Sequence, residues 1–267
     1  MEPLNLDQSL RILLVEDDPI NSKVMCALLE STGHRITPQE DGVGALTQLY
    51  LGTWDLILLD LSLPDLDGYT ISRRIRGNAE PSRAQLPIVA ITASQDEDIL
   101  PQVLAAGMNG LLRKPIDMED FRRVLHNPHP ITLENPPAKS SSHQASRPTD
   151  GDTHPILDAT HWNRMVTMLD RATLLETVVL FQQNGPHYLQ QAQSYADSGQ
   201  WIEVELALHK LAGASANMAL GRLGEQARLL EHYCINQAEP EIHDDLKALN
   251  RVMQRSLKAL EQMANMV

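Results

Sequence analysis

The fold is indicated by one stretch of sequence, Asp55-Leu-Ile-Leu-Leu-Asp-Leu-Ser-Leu-Pro-Asp-Leu-Asp-Gly68. It begins with a short aliphatic run, which is typical of a parallel strand that is buried on both faces. The run ends at Asp60. Pro64 and Gly68 predict a turn after it, and Asp65 and Asp67 are expected to be turn residues. Because open α/β sheets bind ligands beyond the carboxyl ends of their strands, the stretch predicts a site at Asp60.

Residues 1–126 alternate such aliphatic runs with helical patterns. Strands are predicted at 11–15, 35–39, 55–59, 87–91 and 110–113. Helices are predicted at 19–31, 42–51, 69–77, 97–106 and 117–126. Five strand–helix pairs predict a doubly wound α/β domain of the flavodoxin type over residues 1–126.

The remainder of the chain has a different pattern. Residues 127–155 are rich in proline and serine and poor in apolar residues, which predicts a flexible linker. From residue 156 to residue 267 the pattern is helical only, and it predicts an antiparallel helical bundle. Its helices are predicted at 158–169, 172–184, 186–196, 201–218, 220–236 and 240–266, with a break at Gly185 and Pro186.

Composition excludes several classes of protein. The 267 residues carry a net charge of −13, which argues against a nucleic-acid partner. The two cysteines, Cys26 and Cys234, provide neither a disulfide framework nor metal-ligand spacing. There is no apolar run of roughly 18 residues and no signal-peptide pattern, so we expect a cytoplasmic chain without membrane contact. This expectation allows a parent protein that is anchored in the inner membrane.

Other predicted strands also end in reactive side chains. The first is followed by Glu16-Asp17-Asp18, the fourth by Thr92 and the fifth by Lys114. Carboxylates that lie close together repel each other and need a cation, and Mg²⁺ prefers such oxygen ligands. Lys114 would offset the charge of a phosphoryl group moving onto Asp60, and Thr92 would donate a hydrogen bond to it. Asp18 is expected to cap a helix or line the rim of the pocket.

Four motifs in this half resemble the receiver domain of two-component signalling. They are Ile12-Leu-Leu-Val-Glu-Asp-Asp-Pro-Ile-Asn21, the Asp60 segment, Ala90-Ile-Thr-Ala-Ser94 and Leu112-Arg-Lys-Pro-Ile116. The resemblance covers about 120 residues in the order and spacing of the family. It implies the following roles: Asp60 as phosphoacceptor, Glu16 and Asp17 as metal-binding acids, the Ser62 backbone carbonyl as a further metal ligand, and Thr92 and Lys114 as the pair that senses phosphate.

One position departs from the family pattern. Receivers often carry Tyr or Phe three residues before the lysine, as a switch that is coupled to the threonine. This chain has Leu111 at that position. The resemblance therefore does not extend to an aromatic switch.

A second candidate site lies in the helical half, at Leu208-His-Lys-Leu-Ala-Gly-Ala214. On a helix, Val204, Leu208 and Leu211 form part of a core stripe, and His209 lies about 100° from it at the boundary with solvent. Gly213, one turn further on, would leave room beside the imidazole. Lys210 could neutralise a phosphoryl group. Two apolar residues on the same side, Ile202 and Leu206, would offer a docking surface.

This segment and Ala216-Asn-Met-Ala-Leu-Gly-Arg-Leu-Gly224 resemble the histidine phosphotransfer (Hpt) domain. The resemblance implies an all-helical bundle over residues 156–267 with one exposed phosphoacceptor, His209. Family members usually carry a lysine where this chain has Ala212, so Lys210 is the candidate to replace it.

Together the two resemblances imply a phosphorelay. Asp60 would accept a phosphoryl group from the histidine of an upstream kinase domain and pass it to His209, which would pass it to a downstream response regulator. This step requires the two domains of the chain to dock. The order of domains resembles the C-terminal part of a hybrid sensor histidine kinase, without ATP-dependent kinase activity in this chain.

Three alternatives stay open. In a phosphate sink, Asp60 would draw phosphate back from His209 and hydrolyse it. The chain could also be an interaction scaffold that is not phosphorylated. A hydrolase with an aspartyl nucleophile is disfavoured, because the Asp-x-Asp arrangement common in such enzymes does not occur at Asp60.

Overall fold

The computed structural model describes residues 8–94, 98–116, 118–126, 154–236 and 242–267, although the side chains of residues 125, 126, 235 and 236 are not described. The chain divides into two compact units, Met1–Ala138 and Lys139–Val267. Of the predicted linker, residues 127–153 lie outside the described residues. Its last two residues, His154 and Pro155, accept hydrogen bonds from Arg222 through their carbonyl oxygens. The predicted domain limits stay predictions.

The first unit is the predicted doubly wound α/β domain. Its strands are β1 (Arg11–Val15), β2 (Arg35–Gln39), β3 (Leu56–Asp60), β4 (Ile88–Thr92) and β5 (Gly110–Arg113). Its helices are α1 (Pro19–Glu30), α2 (Gly42–Leu51), α3 (Gly68–Arg76), α4 (Pro81–Ala84), α5 (Ile99–Ala105) and α6 (Met118–His126). All predicted strands are confirmed, with β3 and β4 displaced by one residue. The short helix α4 was not predicted, because four residues are too few to show periodicity.

The five strands form one parallel sheet in the order β2-β1-β3-β4-β5. All residues of β3 and β4 are buried, which explains their uninterrupted aliphatic sequences. Helix α1 begins with Pro19 in its first turn, and the carboxylate of Asp18 accepts a hydrogen bond from the Asn21 amide. The predicted capping role of Asp18 is thus confirmed.

The second unit is the predicted helical bundle. Its helices are α7 (Ala159–Met168), α8 (Arg171–Asp197), α9 (Trp201–Asn217), α10 (Gly221–Asn236) and α11 (Ile242–Ala264). Helix α8 packs against α9, α9 against α10, α10 against α11, and α11 against α8, so these four helices enclose one core. Helix α7 packs against α8.

The predicted helix break at Gly185 and Pro186 is wrong. Helix α8 continues through Pro186 for 27 residues. Proline inside a helix costs about 3 kcal/mol. Phe181, Tyr188 and Leu189, on the two sides of the proline, are buried in the unit's core. Burying each of them contributes about 1.5–3 kcal/mol, so their combined packing outweighs the cost of the proline.

Gly68, the first residue of α3, is required by a close approach of the backbone. A Cβ atom at this position would lie 2.6 Å from the carbonyl oxygen of Asp60 and 2.9 Å from the Cα atom of Leu61. The Gly68 amide also donates a hydrogen bond to the Leu61 carbonyl. The loop after β3 is therefore folded tightly against the end of that strand.

We expect Gly68→Ala to lower the free energy of unfolding of the first unit by about 1–3 kcal/mol, because backbone atoms must move to accommodate the methyl group. Urea unfolding of the full chain, followed by hydrogen exchange of peptides from the first unit, measures this change, because Trp162 and Trp201 of the second unit would also contribute to fluorescence. Gly77→Ala is the matched control, since its Cβ would approach no atom closer than 3.4 Å. Equal stability of Gly68→Ala and wild type would contradict the close approach.

Candidate functional site

The parallel register brings the predicted reactive residues to one edge of the sheet. Val15 at the end of β1 lies beside Leu59, so Glu16 follows β1 next to the position of Asp60. Asp60 pairs with Ile91 on β4, one residue before Thr92. Thr92 pairs with Arg113 on β5, one residue before Lys114. The convergence predicted from the sequence is therefore observed.

Lys114 connects two of these carboxylates in the interior. Its Nζ donates hydrogen bonds to Asp60 Oδ2 at 2.6 Å and to Glu16 Oε1 at 3.0 Å. All three side chains are at most 2% exposed. Burial acts to lower the pKa of Lys114, but the charges of Asp60 and Glu16 outweigh this effect and raise it. Lys114 is therefore a permanent positive charge between two acids.

Glu16 lies in an environment that disfavours its charge. Burial and the nearby Asp60 carboxylate raise the pKa of Glu16 to about 8, although Lys114 acts in the opposite direction. Asn21 donates a hydrogen bond from Nδ2 to Oε1 of Glu16 at 3.1 Å. Oε2 lies 2.7 Å from Lys114 Nζ but makes no hydrogen bond with acceptable geometry. This oxygen is thus buried beside a cluster of acids with capacity for another ligand.

Three carboxylates form a group that could hold a metal ion. One oxygen atom from each of Glu16, Asp17 and Asp60 lies within 4.8 Å of the others. Asp60 Oδ1 additionally accepts a hydrogen bond from the Ser62 amide at 3.0 Å. The predicted ligands Glu16, Asp17 and Asp60 are therefore together, and Ser62 follows on the adjoining loop.

A hydrogen bond connects the residues after β4 to β5. The hydroxyl oxygen of Thr92, which is 2% exposed, accepts a hydrogen bond from the Ser94 amide at 3.1 Å. The carbonyl oxygen of Ser94 accepts a hydrogen bond from the guanidinium of Arg113. Leu111, at the position of the absent aromatic residue, is buried in the core.

The two acids of the loop after β3 stabilise helix ends. Asp67 caps α3 by accepting hydrogen bonds from the amide and hydroxyl of Thr70. Asp65 instead reaches another helix, and its two oxygens accept hydrogen bonds from the Gly42 and Val43 amides of α2, both at 2.9 Å. The sequence predicted only turn residues here, because the contact with α2 spans 22 or 23 positions.

In the second unit, His209 is held by an acid on the neighbouring helix. Its Nδ1 lies 2.8 Å from Oε1 of Glu231 on α10. The His209 side chain is 14% exposed, as predicted for a boundary position. Its other ring nitrogen, Nε2, is buried. The resemblance implied an exposed histidine, whereas the contact with Glu231 draws the ring against α10.

Small residues allow α9 and α10 to approach each other closely. A Cβ at Gly224 on α10 would lie 3.3 Å from the Ala212 carbonyl oxygen and 3.4 Å from Ser215 Cβ on α9. Gly213 is buried and Lys210 is half-buried. Ile202 and Leu206, two turns and one turn before His209, are 70% and 47% exposed, which agrees with the predicted apolar surface.

Sequence reasoning missed Asn21 and Glu231 as parts of these sites. Asn21 lies five residues after Glu16, in the first turn of α1, so its contact with Glu16 could have been predicted from the sequence. Glu231 is 22 residues from His209 on another helix, and no local pattern reveals that contact.

Among the described residues, no helix combines the length and apolar character needed to span a membrane.

Two family models match the chain. The model described as the response regulator receiver domain matches residues 12–126. The model described as the Hpt domain matches residues 176–265. The two matches fall in different compact units.

Several curated proteins are similar in sequence. Sensor histidine kinase AruS of Pseudomonas aeruginosa is 41% identical over 117 residues, which cover 44% of this chain and 12% of that protein. Virulence sensor protein BvgS of Bordetella parapertussis is 29% identical over 260 residues, covering 95% of this chain and 20% of the relative. Sensor protein EvgS of Escherichia coli K12 is 25% identical over 264 residues, covering 98% and 20%. The chain thus spans a fifth or less of the length of these relatives.

Among solved structures, the receiver domain of sensor histidine kinase PA1611 from P. aeruginosa PAO1 is 40% identical. The comparison covers 44% of this chain and 95% of that one, with a TM-score of 0.40. That structure is described with a magnesium ion coordinated in the active site cleft.

The similarity to BvgS and EvgS extends over both units, and the two family models match in the order receiver, then Hpt. The chain therefore belongs to the two-component phosphorelay proteins, with a receiver domain followed by an Hpt domain, and its class of function is phosphorelay signal transduction.

Proposed function

We propose that Asp60 accepts a phosphoryl group from the histidine of an upstream kinase domain and passes it to His209, which passes it to a downstream response regulator. The observation that supports this most is the buried contact of Lys114 with Asp60 at the acidic edge of the sheet. That arrangement places a carboxylate nucleophile beside a fixed positive charge, as phosphoryl transfer requires.

The acidic group fits a magnesium ion. Glu16, Asp17 and Asp60 carry three negative charges when ionised and Lys114 carries one positive charge, so a divalent cation would neutralise the remainder. Oxygen ligands from carboxylates suit Mg²⁺, and Oε2 of Glu16 is buried with ligand capacity to spare. We propose Glu16, Asp17, Asp60 and the Ser62 backbone carbonyl as its protein ligands. The same ion is described for the PA1611 receiver domain.

In the first transfer, a carboxylate oxygen of Asp60 forms a bond to phosphorus while the bond between phosphorus and the donor imidazole nitrogen breaks. The bound Mg²⁺ would offset negative charge on the transferring phosphoryl oxygens. Lys114 already lies 2.6 Å from Asp60 Oδ2 and stays protonated throughout. Thr92 is assigned the role of hydrogen-bond donor to a phosphoryl oxygen, which its O–H can fill while its oxygen continues to accept from the Ser94 amide.

In the second transfer, Nε2 of His209 forms a bond to phosphorus while the phosphorus–oxygen bond to Asp60 breaks. The proton of the imidazole stays on Nδ1, where the carboxylate of Glu231 stabilises the positive charge that develops on the ring. Nε2 is buried in the resting domain, so transfer requires a rearrangement that exposes this atom. Lys210 is proposed to offset charge on the incoming phosphoryl group.

The two phosphoacceptors can be distinguished with acetyl phosphate and Mg²⁺ on the full chain. We expect wild type to carry phosphate on both residues, Asp60→Asn to carry it on neither, and His209→Gln to carry only a hydroxylamine-sensitive acyl phosphate. Site-resolved mass spectrometry gives the readout. His243→Gln, which changes a partly exposed histidine on α11, is the control and should behave as wild type. Phosphorylated His209 in the Asp60→Asn chain would refute the relay order.

The proposed metal site predicts that Glu16→Gln weakens Mg²⁺ binding about 10-fold or more, because one charged ligand is lost and 1.4 kcal/mol corresponds to a factor of ten. Calorimetric titration of the full chain measures the affinity. Asp18→Asn is the matched control, since Asp18 is outside the three-carboxylate group and asparagine also caps helices. Unchanged Mg²⁺ affinity in a folded Glu16→Gln chain would argue against this ligand.

The contact of Glu231 with His209 predicts that Glu231→Ala slows phosphoryl transfer from Asp60 to His209 roughly 10- to 100-fold, since a hydrogen bond to a charged group contributes about 1.5–3 kcal/mol. Rapid-quench kinetics on the full chain measure the transfer rate. Glu231→Gln retains a hydrogen-bond acceptor and should recover part of the rate. A wild-type rate in Glu231→Ala would show that this carboxylate has no role in transfer.

A further inference from the structure

The loop that follows Asp60 is attached to a second helix besides α3. The carboxylate of Asp65 accepts hydrogen bonds from the first two amides of α2, Gly42 and Val43, each at 2.9 Å. The first amides of a helix have no partner within the helix, so an anion at this position stabilises its first turn. Burial acts to raise the pKa of Asp65, but the hydrogen bonds from Gly42 and Val43 outweigh this effect and lower it. The carboxylate is therefore ionised and engaged.

The path from Asp60 to Asp65 is short, and specific contacts hold it although Pro64 and Asp65 are exposed. Asp60 Oδ1 accepts a hydrogen bond from the Ser62 amide, so the side chain of Asp60 holds the start of the loop. Gly68 packs directly on the Asp60 carbonyl at the end of the loop. In between, Leu66 Cβ lies 3.1 Å from the Cβ position of Gly42. The start of the loop is held by the Asp60 carboxylate, its end packs on the Asp60 carbonyl, and Leu66 between them contacts α2. A rearrangement of the loop would therefore also move that helix.

We propose that Asp65 couples the phosphorylation state of Asp60 to helix α2. The proposal rests on the assignment of Asp60 as phosphoacceptor. A phosphoryl group on Asp60 adds bulk and negative charge where Ser62 and Lys114 now contact the carboxylate, so the loop adjusts. Asp65 then transmits that adjustment to the first turn of α2 through the hydrogen bonds to Gly42 and Val43.

Helix α2 is also suited to present a change at the surface. Within the described part of the first unit, the large apolar side chains that are exposed are Val43, Tyr50 and Leu51, all on α2. Val43 is 61% exposed, and its own amide is bound by Asp65. On the other side of the site, Leu111 is aliphatic and buried, so it has no ring to rotate. A movement of the first turn of α2 is therefore a route by which phosphorylation could change the surface of this domain.

The test uses beryllofluoride with Mg²⁺ as a phosphoryl analogue on the full chain. Hydrogen–deuterium exchange of the α2 amides is measured with and without the analogue, by mass spectrometry of overlapping peptides. In wild type we expect the analogue to change exchange in the first turn of α2 by about twofold or more, because exchange reports local opening. In Asp65→Ala we expect the same exchange in α2 whether or not the analogue is present.

Asp67→Ala is the matched control. Asp67 lies two residues away in the same loop and caps α3 instead of α2. It should lose similar stability, about 1 kcal/mol for a lost cap, but keep the response of α2. A full wild-type response in Asp65→Ala, or no α2 response in a wild-type chain that binds beryllofluoride, would overturn the coupling. If wild type does not bind beryllofluoride at Asp60, the phosphoacceptor assignment fails first and the coupling falls with it.

Discussion

The receiver domain depends on the buried ion pairs of Lys114 with Asp60 and Glu16. Burying these three groups is costly, and removing one partner from a buried ion pair costs about 3–5 kcal/mol. The cluster is therefore tolerable only while β1, β3 and β5 hold their ends together. The three acids outnumber the single lysine, and this excess suits the site to a divalent cation, which would in turn offset the negative charge of a phosphoryl group. The buried contacts of Lys114 with the acids are thus costly to the stability of the domain and are also what makes the site suitable for its proposed chemistry.

Both proposed phosphoacceptors are positioned by contacts between elements that are distant in sequence. Asp60 is fixed by Lys114, 54 residues away, and His209 by Glu231, 22 residues away. In each case the partner has the charge that the proposed transfer requires: a cation beside the carboxylate and an anion beside the imidazole. The parallel register of the sheet and the close approach of α9 and α10 at Gly224 make these pairs possible. The chemistry therefore follows from the packing of each domain.

Much of the fold and the receiver site could be predicted. The aliphatic runs of β3 and β4 were recognisable because every residue in them is buried. The convergence of Glu16, Asp60, Thr92 and Lys114 followed from the rule that parallel strands end at one edge. Pro186 was misread because local propensity counts the lost hydrogen bond but not the burial of Phe181, Tyr188 and Leu189. His209 was found from its motif, but the orientation of its ring was not.

By itself, the sequence determined the two kinds of domain, which strands end in reactive side chains, and the identity of both candidate phosphoacceptors. Periodicity and local motifs are sufficient for these features, since they depend on which residues are neighbours along a strand or helix. Only the tertiary structure decided that Glu16 is buried against Lys114, that Glu231 holds His209, and that Asp65 binds α2. Those contacts join elements tens of residues apart, and tertiary packing is what brings the groups together. Glu16 and Lys114 meet in the interior, where each must have a partner, whereas the contact of Glu231 is partly buried and that of Asp65 lies at the surface.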